Sequence, residues 1–246
     1  MNIALIGYGK MGKAIEEIAL SRGHNVVLAI DDQNLFDLTK ENLEKADVAI
    51  EFTMPESAVK NILLCFEAGV PVVCGTTGWL QQKKFVEEKC IEADGTFLTT
   101  TNFSIGVNIF FEINKKLAAL MNPHKNYNIS IEETHHTQKK DAPSGTAISL
   151  AEQIIENSSQ KKSWVLRQTE NDTALNIPDE LSIVSKRIDP AAGTHAVKYT
   201  SAIDDIEIIH TAHNRKGFAA GALLAAEFIY DRKGIFNMKD VLNIND

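Results

Sequence analysis

Residues 133–147 read ETHHTQKKDAPSGTA, so two histidines, two lysines and an aspartate run straight into Pro-Ser-Gly-Thr-Ala. His135 and His136 carry the side chain that gains and loses a proton near neutral pH. Ser144 is a helix N-cap residue, followed by Gly145, Thr146 and apolar residues at helical spacing, Ala147, Leu150, Ala151 and Ile154. The first amides of such a helix have no partner inside it. With no side chain at position 145, a carboxylate can approach them closely, and Lys139 adds an ammonium group beside them. The chemistry this describes is an anion clamp next to a proton donor. Adjacent histidines on a strand point to opposite faces, so one of the two is expected to enter the site. Taken singly, each residue also reads as a solvated loop or an ordinary helix start. The five together, in a chain with a nucleotide-binding pattern, favour chemistry.

That second pattern is GYGKMG at 7–12, which follows an apolar run and opens a helical one. Glycine permits the tight turn and the close approach of a pyrophosphate, which helix N-terminal amides hold. Asp31 closes the next apolar run, where a carboxylate binds ribose hydroxyls. A carboxylate there repels a 2′-phosphate, so NADH is expected to serve at least as well as NADPH, although Lys10 is a cation within reach. GTTG at 75–78 and TTTNF at 99–103 also follow apolar runs, which places them at the edge where open α/β sheets bind ligands.

The elements behind these loops follow from hydrophobic periodicity. Ile3–Ile6, Asn25–Ile30, Val48–Phe52, Val70–Cys74 and Thr96–Leu98 read as short buried strands. Helical spacing separates them, as in Met11, Ala14, Ile15, Ile18 and Ala19, or Ala58, Val59, Ile62, Leu63 and Phe66. Such alternation implies a parallel sheet covered by helices on both faces. After Asn102 the pattern changes to a helix over Ile109–Met121, an extended run at Asn128–Thr134 and a helix from Ser144, interrupted by polar residues 157–163. His195–Ala202 and Ile206–Thr211 alternate polar and apolar residues, the mark of strands with one wet face. Phe218–Tyr230 is a strongly apolar helix, expected to return to the first domain. The fold class is therefore α/β, a Rossmann-like parallel-sheet domain plus a smaller α+β domain with a mixed sheet. The expected division is 1–103 plus 214–246 for dinucleotide binding and 104–213 for substrate binding and oligomerisation.

The chain has 246 residues and a formal net charge of −8, which disfavours a nucleic-acid partner. No apolar run is long enough to span a membrane, and the first apolar run begins too early for a cleavable signal. Cys65, Cys74 and Cys90 are three scattered thiols, which suits a reducing cytoplasm. The His-His pair lacks the spacing of helical zinc motifs, so no metal is expected. His195, His210 and His213 lie far from the pair in sequence and read as structural.

HHTQKKDAPSGTA closely resembles the signature of the 4-hydroxy-tetrahydrodipicolinate reductase (dihydrodipicolinate reductase) family, which runs His-His-x-x-Lys-x-Asp-x-Pro-Ser-Gly-Thr-Ala. GYGKMG, EFTMPES at 51–57, GVPVVCGTTGW at 69–79, TNFSIGVN at 101–108 and NRKGFAAGAL at 214–223 support it in order along nearly the whole chain. The resemblance implies a reductase that passes hydride from NADH or NADPH to a cyclic imine dicarboxylate on the diaminopimelate route to lysine. It implies that His135 is the general acid, that Lys139 binds a substrate carboxylate and aids catalysis, that His136 contacts substrate, and that Gly145 and Thr146 hold the other carboxylate. For the cofactor it implies Gly7, Gly9, Lys10, Met11, Gly12, Asp31, Gly75, Thr76, Thr77, Thr100, Thr101, Asn102 and Phe103, with Arg215 and Phe218 nearby. The family's second sheet, of four mixed strands, builds a homotetramer. Glu51 stands where the family commonly has Asp, and Asp189 where it commonly has Gly, so the loop at 189 is expected to differ. Two rivals remain: another two-domain amino-acid or sugar-acid dehydrogenase, which would lack the double clamp, and an NADH-sensing regulator, which has no use for a proton donor.

Overall fold

The computed structural model describes residues 1–167, 179–214 and 216–244. The chain forms two compact units, one from Met1–Ile105 with Lys216–Asp246, the other from Gly106–Arg215.

The first unit holds strands β1 (Asn2–Ile6), β2 (Asn25–Ile30), β3 (Val48–Glu51), β4 (Val72–Cys74) and β5 (Thr96–Thr99). Helices α1 (Lys10–Ser21), α2 (Lys40–Leu43), α3 (Pro55–Glu67) and α4 (Lys83–Glu92) connect them. The sheet order is β11-β5-β4-β3-β1-β2 and every pairing is parallel, where β11 is Gly234–Phe236. Period-two alternation divides each strand between two cores. Ile3 and Leu5 of β1 face a core that includes Ile15 and Ala19 of α1 and the alanine-rich helix α7 (Lys216–Ile229), whereas Ala4 and Ile6 face Ala58, Ile62 and Phe66 of α3. The last long apolar helix thus covers one face of the parallel sheet, and Met238 of α8 (Met238–Val241) joins the same core. β11 has only three residues, too short for periodicity to announce it.

The second unit contains α5 (Ile105–Met121), β6 (Asn128–His135), α6 (Gly145–Asn157), β7 (Ser163–Arg167), β8 (Glu180–Arg187), β9 (Gly193–Thr200) and β10 (Asp205–Ala212). Their order is β10-β9-β6-β8-β7: the first two pairings are antiparallel, the last two parallel. Among the described residues this mixed sheet has five strands rather than the four that the resemblance implied. The fifth, β7, begins where the polar stretch ends and pairs with β8 through SWVLR. Phe110, Ala118 and Met121 of α5 and Ala147, Leu150, Ala151 and Ile154 of α6 cover one sheet face, against Ile129 and Ile131 of β6 and Val197 and Tyr199 of β9. The outer strand β10 stays largely exposed. Among the described residues no helix is long and apolar enough to cross a membrane.

Candidate active site

In the first unit, the expected cofactor residues gather at the carboxyl ends of the parallel strands. Gly7 has φ +101°, and a Cβ there would lie 2.0 Å from the Phe52 carbonyl oxygen. A Cβ on Gly12 would lie 2.6 Å from the Gly7 carbonyl oxygen, so packing within the turn requires both glycines. Gly9 differs, because a Cβ there would meet nothing within 4 Å. The chain leaves that space open where α1 begins, and the first helical bond runs from the Lys13 amide to the Gly9 carbonyl, leaving the amides of residues 10–12 ahead of it. The Gly7 and Tyr8 amides both donate to the Ile30 carbonyl, which fixes the turn beside exposed Asp31. One Asp31 oxygen accepts the Gln33 amide at 2.9 Å. Lys10 is exposed, and Met11 packs half-buried against the core.

Gly75 lies against the Phe52 ring, at which a Cβ would come within 2.1 Å. The Thr76 hydroxyl is buried and accepts the Thr53 amide at 2.7 Å, whereas Thr77 is exposed. Thr100 Oγ1 accepts the Asn102 amide at 3.2 Å, and Thr101 is exposed beside it. Phe103 is buried, 5.7 Å from Phe52 between ring centres, and its carbonyl abuts Gly221 of α7. Phe218 is half-buried on α7, and Arg215 lies outside the described residues. These loops fit a dinucleotide, with free helix amides for its phosphates and a carboxylate for a ribose.

In the second unit, β6 presents Ile129, Ile131, Glu133 and His135 on its helix-covered face. The sheet register sets Glu133 between His195 of β9 and Ser185 of β8, and His135 beside Arg187. Glu133 is fully buried; one oxygen accepts Ser185 Oγ at 2.7 Å, Arg187 Nη2 at 3.1 Å and the Ser144 amide at 3.2 Å. Its other oxygen lies 3.0 Å from His135 Nδ1 and 3.7 Å from His195 Nε2. Burial alone would raise the Glu133 pKa, but hydrogen bonds from His135, Ser144 and Ser185 outweigh it and hold the carboxyl well below its ordinary value. Burial does the opposite to His195: with the neighbouring His135 charge it lowers that imidazole to about 4, against the pull of Glu133. His195 is thus neutral at pH 7, with Nε2 at 2.9 Å from Ser144 Oγ. Sequence spacing gave no sign of this contact, because only the ladder between β6 and β9 brings His195 there.

Ser144 caps α6, accepting the Ala147 amide at 3.2 Å, and the first helical bond is from Ile148 to Ser144. The Gly145 and Thr146 amides precede that bond, and a Cβ on Gly145 would meet nothing within 4 Å. Glycine here, as at position 9, leaves room that no other described residue fills. Lys139 Nζ is held by both Asp141 oxygens, at 2.7 and 2.9 Å, and this hydrogen bonding keeps Asp141 below the usual carboxylate range. Arg187 fixes the backbone of that loop, donating to the carbonyls of Asp141 at 2.6 Å and Lys139 at 3.3 Å. His136 is half-buried at the turn, its carbonyl accepting the Lys139 amide. Asp189, expected to alter its loop, accepts the Thr137 amide at 3.1 Å and the Thr137 hydroxyl at 2.6 Å. Glu133, His135 and His195 also offer ligand atoms within 4.8 Å of one another. The Arg187 guanidinium already pairs Glu133, so this donor set suits proton chemistry better than a cation.

A family model for the N-terminus of dihydrodipicolinate reductase matches residues 1–103, and one for its C-terminus matches 106–242. The chain belongs to the dihydrodipicolinate reductase family. The 4-hydroxy-tetrahydrodipicolinate reductase of Christiangramia forsetii is 49% identical over 245 residues, 99% of this chain and 98% of that protein. That of Methanothermobacter thermautotrophicus is 35% identical, covering 95% of this chain and 85% of its own. The dipicolinate-bound dihydrodipicolinate reductase of Paenisporosarcina sp. TG-14 shares the fold, with a TM-score of 0.75 at 23% identity over the full length of both chains. Family membership removes both rivals, the two-domain amino-acid or sugar-acid dehydrogenase and the NADH-sensing regulator.

Proposed function

We propose that the second unit binds the two carboxylates of 4-hydroxy-tetrahydrodipicolinate, one at the Lys139 ammonium and the other at the Gly145 and Thr146 amides, with His135 as proton donor. The protein is a reductase of lysine biosynthesis by family, and this reading concerns how its residues carry that reaction. The observation that supports it most is the unfilled space at Gly145, before the first bond of α6 and beside the buried Glu133–His135 pair. NAD(P)H, held by residues 7–12, 31, 75–77, 100–103 and Phe218, supplies hydride when bound. After loss of the 4-hydroxyl as water, reduction of the ring adds one hydride and one proton, and His135 delivers the proton to the adjacent carbon. Asp141 occupies Lys139 with a carboxylate, and a substrate carboxylate takes its place. His136 contacts substrate from the same turn. No metal enters this scheme.

Ile203, Ile206 and Ile209 leave apolar surface exposed at β10 and its preceding turn, which supports a homotetramer assembled through the second sheet. Three free, buried thiols agree with a cytoplasmic setting.

The test is turnover with freshly made substrate, followed by nicotinamide absorbance. His135→Ala is expected to lower kcat by roughly 100-fold or more, with little change in KM. Lys139→Ala is expected to lower kcat and raise KM together. Wild-type turnover in both variants would refute these roles.

A further inference from the structure

We propose that Glu133 is a positioning residue that ties the carboxylate seat at the start of α6 to the imidazole of His135. The inference rests on the reading of His135 as proton donor and deepens it. Glu133 is 0% exposed, and its two oxygens divide their partners cleanly. One oxygen faces only fixed framework: the Ser144 amide at the head of α6, the Ser185 hydroxyl of β8 and the Arg187 guanidinium. The other faces only imidazoles, His135 Nδ1 at 3.0 Å and His195 Nε2 at 3.7 Å. Among the described residues neither that oxygen nor His135 Nδ1 meets a partner in hydrogen-bond geometry, so their 3.0 Å approach is the one polar contact that orients this face of the imidazole.

This division has a chemical consequence. An anionic oxygen beside Nδ1 keeps the proton on that nitrogen, so Nε2 is the nitrogen that gives its proton to substrate. Nε2 lies beside Gly193, where a Cβ would come within 3.1 Å, so glycine keeps side-chain bulk away from that nitrogen. His195 is pinned on Ser144 Oγ at 2.9 Å, and its ring packs edge-on to His135 with centres 5.1 Å apart. The same carboxylate therefore fixes the Ser144 amide next to the seat, the orientation of the acid and its tautomer. Arg187 extends the arrangement to the Lys139 loop through the carbonyls of Lys139 and Asp141. A neutral amide at 133 could still satisfy the framework donors with its carbonyl oxygen. Its NH2 group would then face Nδ1 as a donor and reverse the tautomer.

The experiment compares Glu133→Gln and Ser185→Ala with the wild-type full chain, normalised to folded protein. For Glu133→Gln, kcat is expected to fall roughly 10- to 100-fold. The Kd of pyridine-2,6-dicarboxylate should rise several-fold, and the Kd of NADH should stay within twofold of wild type. 15N spectra of histidine-labelled protein should show neutral His135 protonated on Nδ1 in the wild type and on Nε2 in Glu133→Gln. Ser185→Ala removes one framework donor outside the seat, and should lower kcat about threefold; it keeps the proposal testable if Glu133→Gln fails to fold. Turnover per folded molecule within twofold of wild type in the folded variants overturns the proposal. So does a fall in kcat with an unchanged His135 tautomer, which would mark a merely structural role. His135→Ala separates the two readings: if it turns over normally, the proton-donor assignment itself fails, and if it is inactive while Glu133→Gln is not, only the role of Glu133 falls.

Discussion

Replacing His195 by glutamine should flatten the acid side of the stability curve. The imidazole is 5% exposed, and burial lowers it from 6.5 to about 4. Between those two values the unfolded chain binds a proton that the folded chain refuses. Stability is therefore fully present above pH 6.5 and is lost as pH falls toward 4. A gap of this size corresponds to roughly 3 kcal/mol by pH 4, and to about 2 kcal/mol between pH 7 and pH 5. Glutamine retains an amide that can bond Ser144 Oγ but takes up no proton. The assay is urea unfolding of both proteins at pH 7 and pH 5. Trp164 of β7 reports the second unit, and Trp79→Phe in both backgrounds removes the signal of the first. Wild type should lose about 2 kcal/mol more than His195→Gln over that interval. Equal losses would show that His195 is not held neutral, and would undo the assignment of its bond to Ser144.

Three further outcomes follow from the nucleotide loops. Gly9→Ala should fold with unchanged Tm, since its Cβ meets nothing, yet weaken NADH binding about tenfold by filling the approach to the helix amides. Gly12→Ala should instead lose about 1–3 kcal/mol in denaturant unfolding, because its Cβ meets the Gly7 carbonyl oxygen at 2.6 Å. Steady-state kinetics should show NADH used at least as well as NADPH, and Asp31→Ala should shift the ratio toward NADPH about tenfold by removing a carboxylate that repels the 2′-phosphate. A strong wild-type preference for NADPH would contradict that.

The parallel sheet was legible because each of its buried strands is a short apolar run bounded by turn residues, and β2 emerged with its observed limits. β7 and β11 were not, since one is a five-residue edge strand behind a polar stretch and the other has three residues. Helix α6 was readable from Ser144 onward because its cap and apolar face are local features. The residues proposed as clamp and proton donor could be named for the same reason, as they lie within residues 135–146. Ser185, Arg187 and His195 were not, because strand register carries them to Glu133 from some fifty residues away. The one local signal was Glu133 two residues before His135, which on a strand means a shared face.

The central claim is that two carboxylates of one ring are held at separate seats, an ammonium and a helix start. Calorimetric titration of pyridine-2,6-dicarboxylate against pyridine-2-carboxylate tests it directly, with wild type and Lys139→Ala side by side. The dicarboxylate should bind wild type at least tenfold more tightly than the monocarboxylate, and Lys139→Ala should erase most of that difference. Equal affinities for the two ligands, or a preference untouched by Lys139→Ala, would contradict the account.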